Sequence, residues 1–283
     1  LAIYCVYRYN FYMEQTNQNP DFGRLSIISA VIILAYALVP FVQIPPQSIA
    51  IRLPWAIFNL NFDFGTLVSI LVALLAALGV DWLIQTHPYR EGKTLVRHGL
   101  VPALTAWVIG VPLSLLEVGL EWWVVVGLGG VLLTFVLVAE FLVVDTKSNA
   151  HLPASIGLTA ISFALYLILA IALQSSGLRL FLLLPALVVT LFFLVSRSLF
   201  LRTSGDWNWF WSAGIAFFTG QLALGLHYLP IQPLTFGLLL VSISYPLTLL
   251  VIAMKEGRKG YSLFTEPIAM FIIFFLLAIF TNG

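Results

Sequence analysis

The sequence predicts an all-α protein: a polytopic transmembrane helix bundle of about nine spans joined by short loops. Three observations predict it. Of 283 residues, 61% are hydrophobic and 9% are charged, against roughly 45–50% apolar and about 25% charged in soluble domains. The apolar residues form continuous runs, whereas the strands of a membrane β-barrel alternate at every second residue. The runs also approach the ~20 residues that a helix needs to cross a hydrocarbon core about 30 Å thick. With mean hydropathy +1.03 and only 13 Lys+Arg and 12 Asp+Glu, the chain cannot coat a soluble surface. That excludes a soluble enzyme, a secreted disulfide scaffold and a disordered chain. The formal net charge of +1 gives no basic stripe for nucleic acid. Cys5, the single cysteine, rules out an intrachain disulfide.

Residues 1–24 read as a cytoplasmic N-terminal segment. Its apolar start, Leu1 to Val6, turns polar through Gln15 to Asp21, like the end of a helix that begins upstream. Residues 25–283 read as a single transmembrane domain. The nine runs cover 25–43, 65–84, 99–116, 122–144, 153–173, 178–196, 207–226, 234–254 and 263–281. Ile44-Pro45-Pro46 closes the first, and His87 to Gly92 follows the second. Glu117 to Glu121 separates the third from the fourth, and Asp145 to Asn149 closes the fourth. Gln174-Ser175-Ser176-Gly177 makes the next turn. Ser204-Gly205-Asp206 supplies loop and N-cap residues before the seventh run. Pro230 and Pro233 bracket the turn before the eighth, and Lys255 to Gly260 precedes the ninth.

Alternating the loops between two sides sorts the basic residues. Arg8, Arg24, Arg90, Lys93, Arg97, Lys147, Arg197, Arg202, Lys255, Arg258 and Lys259 fall on one side, and only Arg52 and Arg179 on the other. The positive-inside rule makes the first side cytoplasmic and puts the C-terminus outside. The compartment expected is a cell membrane, of the bacterial cytoplasmic kind. Trp82, Trp122, Trp123, Trp207, Trp209 and Trp211 stand at run ends, where indole rings favour the headgroup level. Segment 50–64 mixes Leu53, Trp55, Ile57, Phe58 and Leu60 with Arg52, Asn59, Asn61 and Asp63. It reads as an outer interfacial amphipathic helix, with an ordered loop over the bundle as the rival.

Small residues recur one turn apart: Ser212, Ala216 and Gly220 on the seventh run, Ala73 and Ala77 on the second, and Gly127, Gly129 and Gly130 on the fourth. Such stripes let helices approach closely in lipid. Prolines inside the runs, including Pro112, Pro185 and Pro246, read as local kinks rather than as the broken helices of a transporter site.

No nucleotide-binding loop, nucleophile elbow or His-Glu-x-x-His pair is present. The chemistry on offer is a set of polar residues at the membrane edges. On the inner face these are Asp81, His87, Glu140, His151 and Arg197, with His98 and Asp145 on the same side. Ionisable groups inside a membrane are costly and read first as functional. A buried pair of Arg197 with Glu140 or Asp81 is the purely structural competitor. On the outer side Glu117, Glu121, Arg179 and His227 form a candidate rim. The histidine spacing does not define a metal site, and no cofactor is called for. The partners expected are the lipid bilayer and, for a subunit, other membrane proteins. The leading functional expectation is transport or handling of an apolar or lipid-like substrate, because the membrane centre holds almost no charge. The alternatives are a non-catalytic subunit or assembly factor of a membrane complex, and a membrane enzyme acting on lipid-linked substrates at the cytoplasmic face.

Overall fold

A computed structural model describes residues 21–42, 47–53, 56–62, 64–85, 87, 98–145, 148–203 and 207–282. The N-terminal segment 1–20, the break at Pro45-Pro46, Trp55, Asp63, the loop residues Arg90, Lys93, Arg97 and Lys147, and the turn Ser204-Gly205-Asp206 lie outside the described residues.

Among the described residues nine α-helices follow one another. They are α1 Phe22–Leu38, α2 Phe64–Ile84, α3 Leu100–Leu115, α4 Leu120–Val143, α5 His151–Ser175, α6 Leu180–Arg202, α7 Trp209–His227, α8 Pro233–Lys255 and α9 Thr265–Asn282. Each predicted run has become one helix. Seven are long and apolar enough to cross a membrane, so the chain is a membrane-spanning helical protein. The helices α3 and α9 are apolar but shorter, and contacts at their ends show that they still run the length of their neighbours. His98, just before α3, reaches the end of α4, while the carbonyl of Leu113 accepts from Trp122 Nε1 at the start of α4. Glu266, at the start of α9, meets Arg258 beyond the end of α8, and Thr281 near its end meets Thr235 near the start of α8.

Local chemistry sets the ends. The carboxylate of Asp21 accepts from the backbone N–H groups of Gly23 and Arg24 and caps α1. At its other end α1 stops at Leu38, and the chain tightens into a 3-10 turn, Val39–Phe41, around Pro40. The helix α6 runs past the predicted end at 196 to Arg202, because Leu199, Phe200 and Leu201 continue the apolar run. Pro112, Pro185 and Pro246 lie inside α3, α6 and α8, and each helix continues through its proline as one element.

The segment read as an interfacial helix is not helical. Strands β1, Gln47–Leu53, and β2, Ala56–Phe62, pair as an antiparallel hairpin. The reason is periodicity: Ile49, Ile51, Leu53 and then Phe58, Leu60, Phe62 recur at every second residue, which is the period of a strand. Ile and Phe also favour a pleated backbone, and Asn59 and Asn61 are weak helix formers.

The chain divides into two compact units, Leu1–Ala154 and Ser155–Gly283. In the first, α1 packs on α2 and α4, and α3 packs on α2 and α4. Its core stacks Leu25, Ile28, Ile32 and Tyr36 of α1 against Val72, Ala76 and Val80 of α2, Ala106 and Ile109 of α3, and Leu133, Leu137 and Phe141 of α4. Glycines set the closest approaches. A Cβ on Gly129 would lie 2.7 Å from Ile109, and one on Gly130 would lie 2.6 Å from Ile33, whereas Gly127 has nothing within 4 Å. On α2 it is Ala76, Gly79 and Val80 that are buried, and the predicted stripe Ala73/Ala77 is only half-buried.

In the second unit α8 is the most enclosed helix, with most of its residues buried. It packs on α6, α7 and α9, and its Gly237 approaches Leu167 and Ile171 of α5. The stripe Ser212, Ala216, Gly220 is buried and faces α6, where a Cβ on Gly220 would meet Val188 at 2.6 Å. Ordinary packing within the chain explains it. Leu71, Leu74 and Leu78 of α2 and Ile268, Ile272 and Phe280 of α9 stay exposed, as the lipid-facing side of a membrane helix requires.

Candidate functional site

In the first unit the antiparallel run of helices gathers one end of α1, α2, α3 and α4 with the first turn of α5. Arg24 of α1 donates from Nη1 to the carbonyl of Trp82, at 2.8 Å, and its guanidinium lies over the Trp82 ring. Here the charge that the sequence concentrates on one side meets the buried interior.

The centre of this end is Glu140. The positions Leu133, Leu137, Glu140 and Phe141 form the inward stripe of α4, so Glu140 continues a core face and is 0% exposed. Its Oε2 shares a hydrogen bond of 2.9 Å with Nδ1 of His98, and both side chains are buried. A lone buried carboxylate is costly, and pairing with hydrogen bonding offsets that cost. The contact fixes the orientation of the imidazole, an arrangement used in general acid–base chemistry.

Two more histidines stand nearby. His87, just beyond α2, is buried and meets the Phe141 ring edge-on, with centroids 4.8 Å apart. Burial holds its pKa below the ordinary value; the field of Asp145 works against this, and that of His98 adds to it. His151, the first residue of α5, donates from Nδ1 to the carbonyl of Val143, at 3.1 Å. It thereby satisfies one of the open carbonyls at the C-terminus of α4. Asp81 is half-exposed on α2 and accepts from Gln85 Nε2 at 3.2 Å.

The structure therefore brings His87 and Glu140 into the neighbourhood of Phe141 and sets His151 at the end of the same helix. Arg197 belongs to the second unit, fully buried on α6 with its guanidinium 5.4 Å from the Phe200 ring centroid. His98 is the residue that the sequence pattern does not single out. The available signal is topological: in neighbouring antiparallel helices, the residue opening α3 stands opposite the last turns of α4. Among the described residues no three His, Cys, Asp or Glu side chains gather as a metal site.

The candidate rim is divided between the units. Glu117 and Glu121 are exposed at the start of α4, where Glu121 sits in the first turn and favours the helix dipole. Arg179 is exposed at the N-cap of α6. His227, ending α7, donates from Nδ1 to Gln174 Oε1 at 3.3 Å and joins the ends of α7 and α5.

The second unit carries its polar contacts differently. At one end Arg202 meets Glu256 at 3.3 Å, and Arg258 bridges Glu256 at 2.6 Å and Glu266 at 3.0 Å. Beside it, Phe192, Trp209, Trp207 and Phe200 form a ladder of rings that ends at Arg197. Inside, the hydroxyls of Thr159, Ser162, Ser198, Ser244 and Thr248 each donate to the carbonyl one turn back on their own helix.

No curated protein and no solved structure matches the chain. A family model does, across residues 44–281, from the strands of the hairpin through α9. The chain belongs to the family described as protein of unknown function, DUF5656.

Proposed function

We propose that the protein handles an apolar or lipid-like substrate from within the membrane, with the first unit as its working part. One observation supports the reading above others. The inward face of α4 carries an apolar crevice, lined by Ile32, Tyr36, Ile109, Gly129, Gly130 and Leu133 among others. Further along the same face it carries the buried Glu140–His98 pair. Gly130 and Glu140 are separated by roughly 15 Å of helix rise. An amphiphile with its chain in the crevice and its polar group at the pair would span that distance. The crevice has a cavity volume of only about 10 Å³, far below the ~300–1,000 Å³ of drug-sized pockets. The side chains that line it would therefore have to move apart to admit a hydrocarbon chain. Lipid tails are already solvated by the bilayer, so an apolar crevice selects weakly. Discrimination then falls on the polar end, where Glu140 and His98 stand.

The same pair favours a second reading, an enzyme acting on a lipid-linked substrate, because a carboxylate-oriented imidazole is a general acid–base group. On either reading we place the pair at the cytoplasmic side of a cell membrane, with the C-terminus outside, on the strength of the Lys and Arg distribution. Reporter fusions after Asp145 and after Gln174 should report opposite sides, and matching signals would refute this topology.

The functional test is purification from native membranes, with mass spectrometry of the lipids and proteins that co-purify. A lipid species stoichiometric with the wild type, lost in Glu140→Gln and kept in Asp81→Asn, is the expected result. Stoichiometric partner proteins in place of a lipid would overturn the stand-alone reading in favour of a subunit of a larger complex.

A further inference from the structure

One side of α7 is explained by packing within the chain. Ser212, Ala216, Thr219, Gly220 and Ala223 are buried, and the helix packs on α6 and α8. The other side carries Phe210, Gly214, Phe217, Gln221, Leu224 and Tyr228, and all six are exposed. Their spacing alternates between four and three residues along the whole helix. That is the heptad seam of a helix that packs along its length on another helix at a small crossing angle. Within the second unit, among the described residues, nothing covers this seam.

Gln221 is the anomaly of this side. It lies on a helix long and apolar enough to cross a membrane, and about 9 Å of helix rise separates it from His227 at the helix end. Leu71, Leu74 and Leu78 of α2 show the ordinary lipid-facing pattern, which is apolar. The Gln221 carboxamide makes no hydrogen bond among the described residues. Hydrocarbon offers neither donor nor acceptor, so an amide left in it keeps its full desolvation cost. That cost is relieved when a second helix brings a polar group to the same depth.

A second copy of the chain meets this condition by symmetry. Copies of one membrane protein share one orientation in the bilayer, so a two-fold axis that relates two of them runs along the membrane normal. Such an axis sets each residue opposite its own counterpart at the same depth, and two-fold dimers are the commonest oligomers. Gln221 then meets Gln221, and a carboxamide both donates and accepts, so the two groups form a reciprocal pair. Gly214, one heptad earlier, has nothing within 4 Å of the place a Cβ would take, which leaves room for the second backbone. We propose that the protein forms a homodimer through this side of α7. The two α7 helices run parallel, their Gln221 side chains are hydrogen-bonded to each other, and Phe210, Phe217, Leu224 and Tyr228 pack along the seam.

The test has two arms, both on the full chain. In a Cys5→Ser background, Phe217→Cys, Leu224→Cys and Phe218→Cys are each oxidised in native membranes with copper phenanthroline. Phe217 and Leu224 stand on the seam; Phe218 is also exposed but stands about 100° further round the helix than Phe217. Disulfide-linked dimers should form at 217 and 224 and not at 218. In the second arm, sedimentation equilibrium in detergent micelles should show a dimer for the wild type. Gln221→Leu should raise its dissociation constant roughly 3- to 30-fold, the range that follows from one lost interhelical hydrogen-bonded contact in a membrane. Leucine suits a lipid-facing position, so this variant keeps its fold. A monomeric wild type, or a Gln221→Leu variant that associates as tightly as the wild type, would overturn the proposal. So would cross-linking at 217 and 224 no stronger than at 218, which would mean that lipid, the first unit or a different protein lies on this side of α7.

Discussion

The two units bury different polar groups: the interior of the second holds mainly hydroxyls, and that of the first adds a buried carboxylate. In the second unit most interior hydroxyls bond the carbonyl one turn back on their own helix, as Thr248 does to Ser244. Such a bond is complete before the helices pack, so it carries no information about tertiary structure. In the first unit hydroxyls such as that of Thr105 do the same, but a buried carboxylate also meets a residue of another element: Glu140 Oε2 on α4 bonds His98 ahead of α3. That contact exists only when the unit is assembled. A buried polar group that depends on another element for its partner is where stability and function can be coupled, and in the first unit that group is a carboxylate.

The sharpest way to break the contrast is to remove one member of the pair. Glu140→Ala leaves the buried His98 without its described carboxylate, and truncating one partner of a buried pair costs ~3–5 kcal/mol. Unfolding in mixed detergent micelles should show that loss. The double variant Glu140→Leu/His98→Leu should regain most of it, because apolar residues of similar volume often replace a buried pair without loss. A stable double variant that no longer retains the native lipid would separate the pair's role in function from its role in folding. A double variant as unstable as the single one would refute the account of the pair as a tertiary contact.

Packing supplies the next largest effect. Gly129→Ala puts a methyl group 2.7 Å from Ile109, and overpacking of this kind typically costs ~1–3 kcal/mol. Gly127→Ala, two residues earlier on the same helix, meets nothing within 4 Å. There it should be neutral or slightly stabilising through helix propensity, worth up to ~1 kcal/mol. Equal effects at the two positions would mean that α3 does not lie against Gly129.

These cases also show what the sequence makes legible. The nine helices could be read because continuous apolar runs have a single solution in lipid. The stripe Ser212-Ala216-Gly220 could be read as close packing, but Ala73/Ala77 and Gly127 could not be told from Ala76 and Gly129, because spacing defines a stripe without saying which way it faces. The hairpin was obscured because its apolar residues are mixed with polar ones over a span that also suits an amphipathic helix. Glu140 stood out as a carboxylate within an apolar run. His98 did not, because its meaning comes from the helix opposite. Arg197 was read at the end of a span, yet the apolar residues beyond it carry α6 to Arg202 and bury it. The division into two units leaves no trace in composition, since apolar runs continue across residues 154 and 155.

A smaller effect tests the ionisable end of the first unit through pH. Burial depresses the His87 pKa in the folded protein, so the unfolded chain takes up a proton first as pH falls below about 6.5. The contribution of His87 to stability is therefore complete above that pH and lost as pH falls toward the folded-state value. Asp145 limits the depression and His98 deepens it. Comparing wild type with His87→Gln between about pH 7.5 and about pH 5 should show a steeper loss in the wild type. A shallower loss would mean that the folded state favours the charged imidazole.

The smallest effects belong to the hydroxyls of the second unit, where they also distinguish two situations that look alike in sequence. Thr248 is fully buried and its hydroxyl donates to Ser244 at 2.8 Å. Thr248→Val keeps the shape and loses one hydrogen bond, for which membrane interiors give about 0.6 kcal/mol on average. The hydroxyl of Thr219 is equally buried, and has no hydrogen-bond partner among the described residues. An unsatisfied buried polar group is a cost to the folded state, so Thr219→Val should be neutral or stabilising. Opposite signs for these two isosteric changes would show that local back-bonding keeps the second unit's interior quiet. A loss at Thr219 as large as that at Thr248 would mean that its hydroxyl has a partner in the membrane-embedded protein.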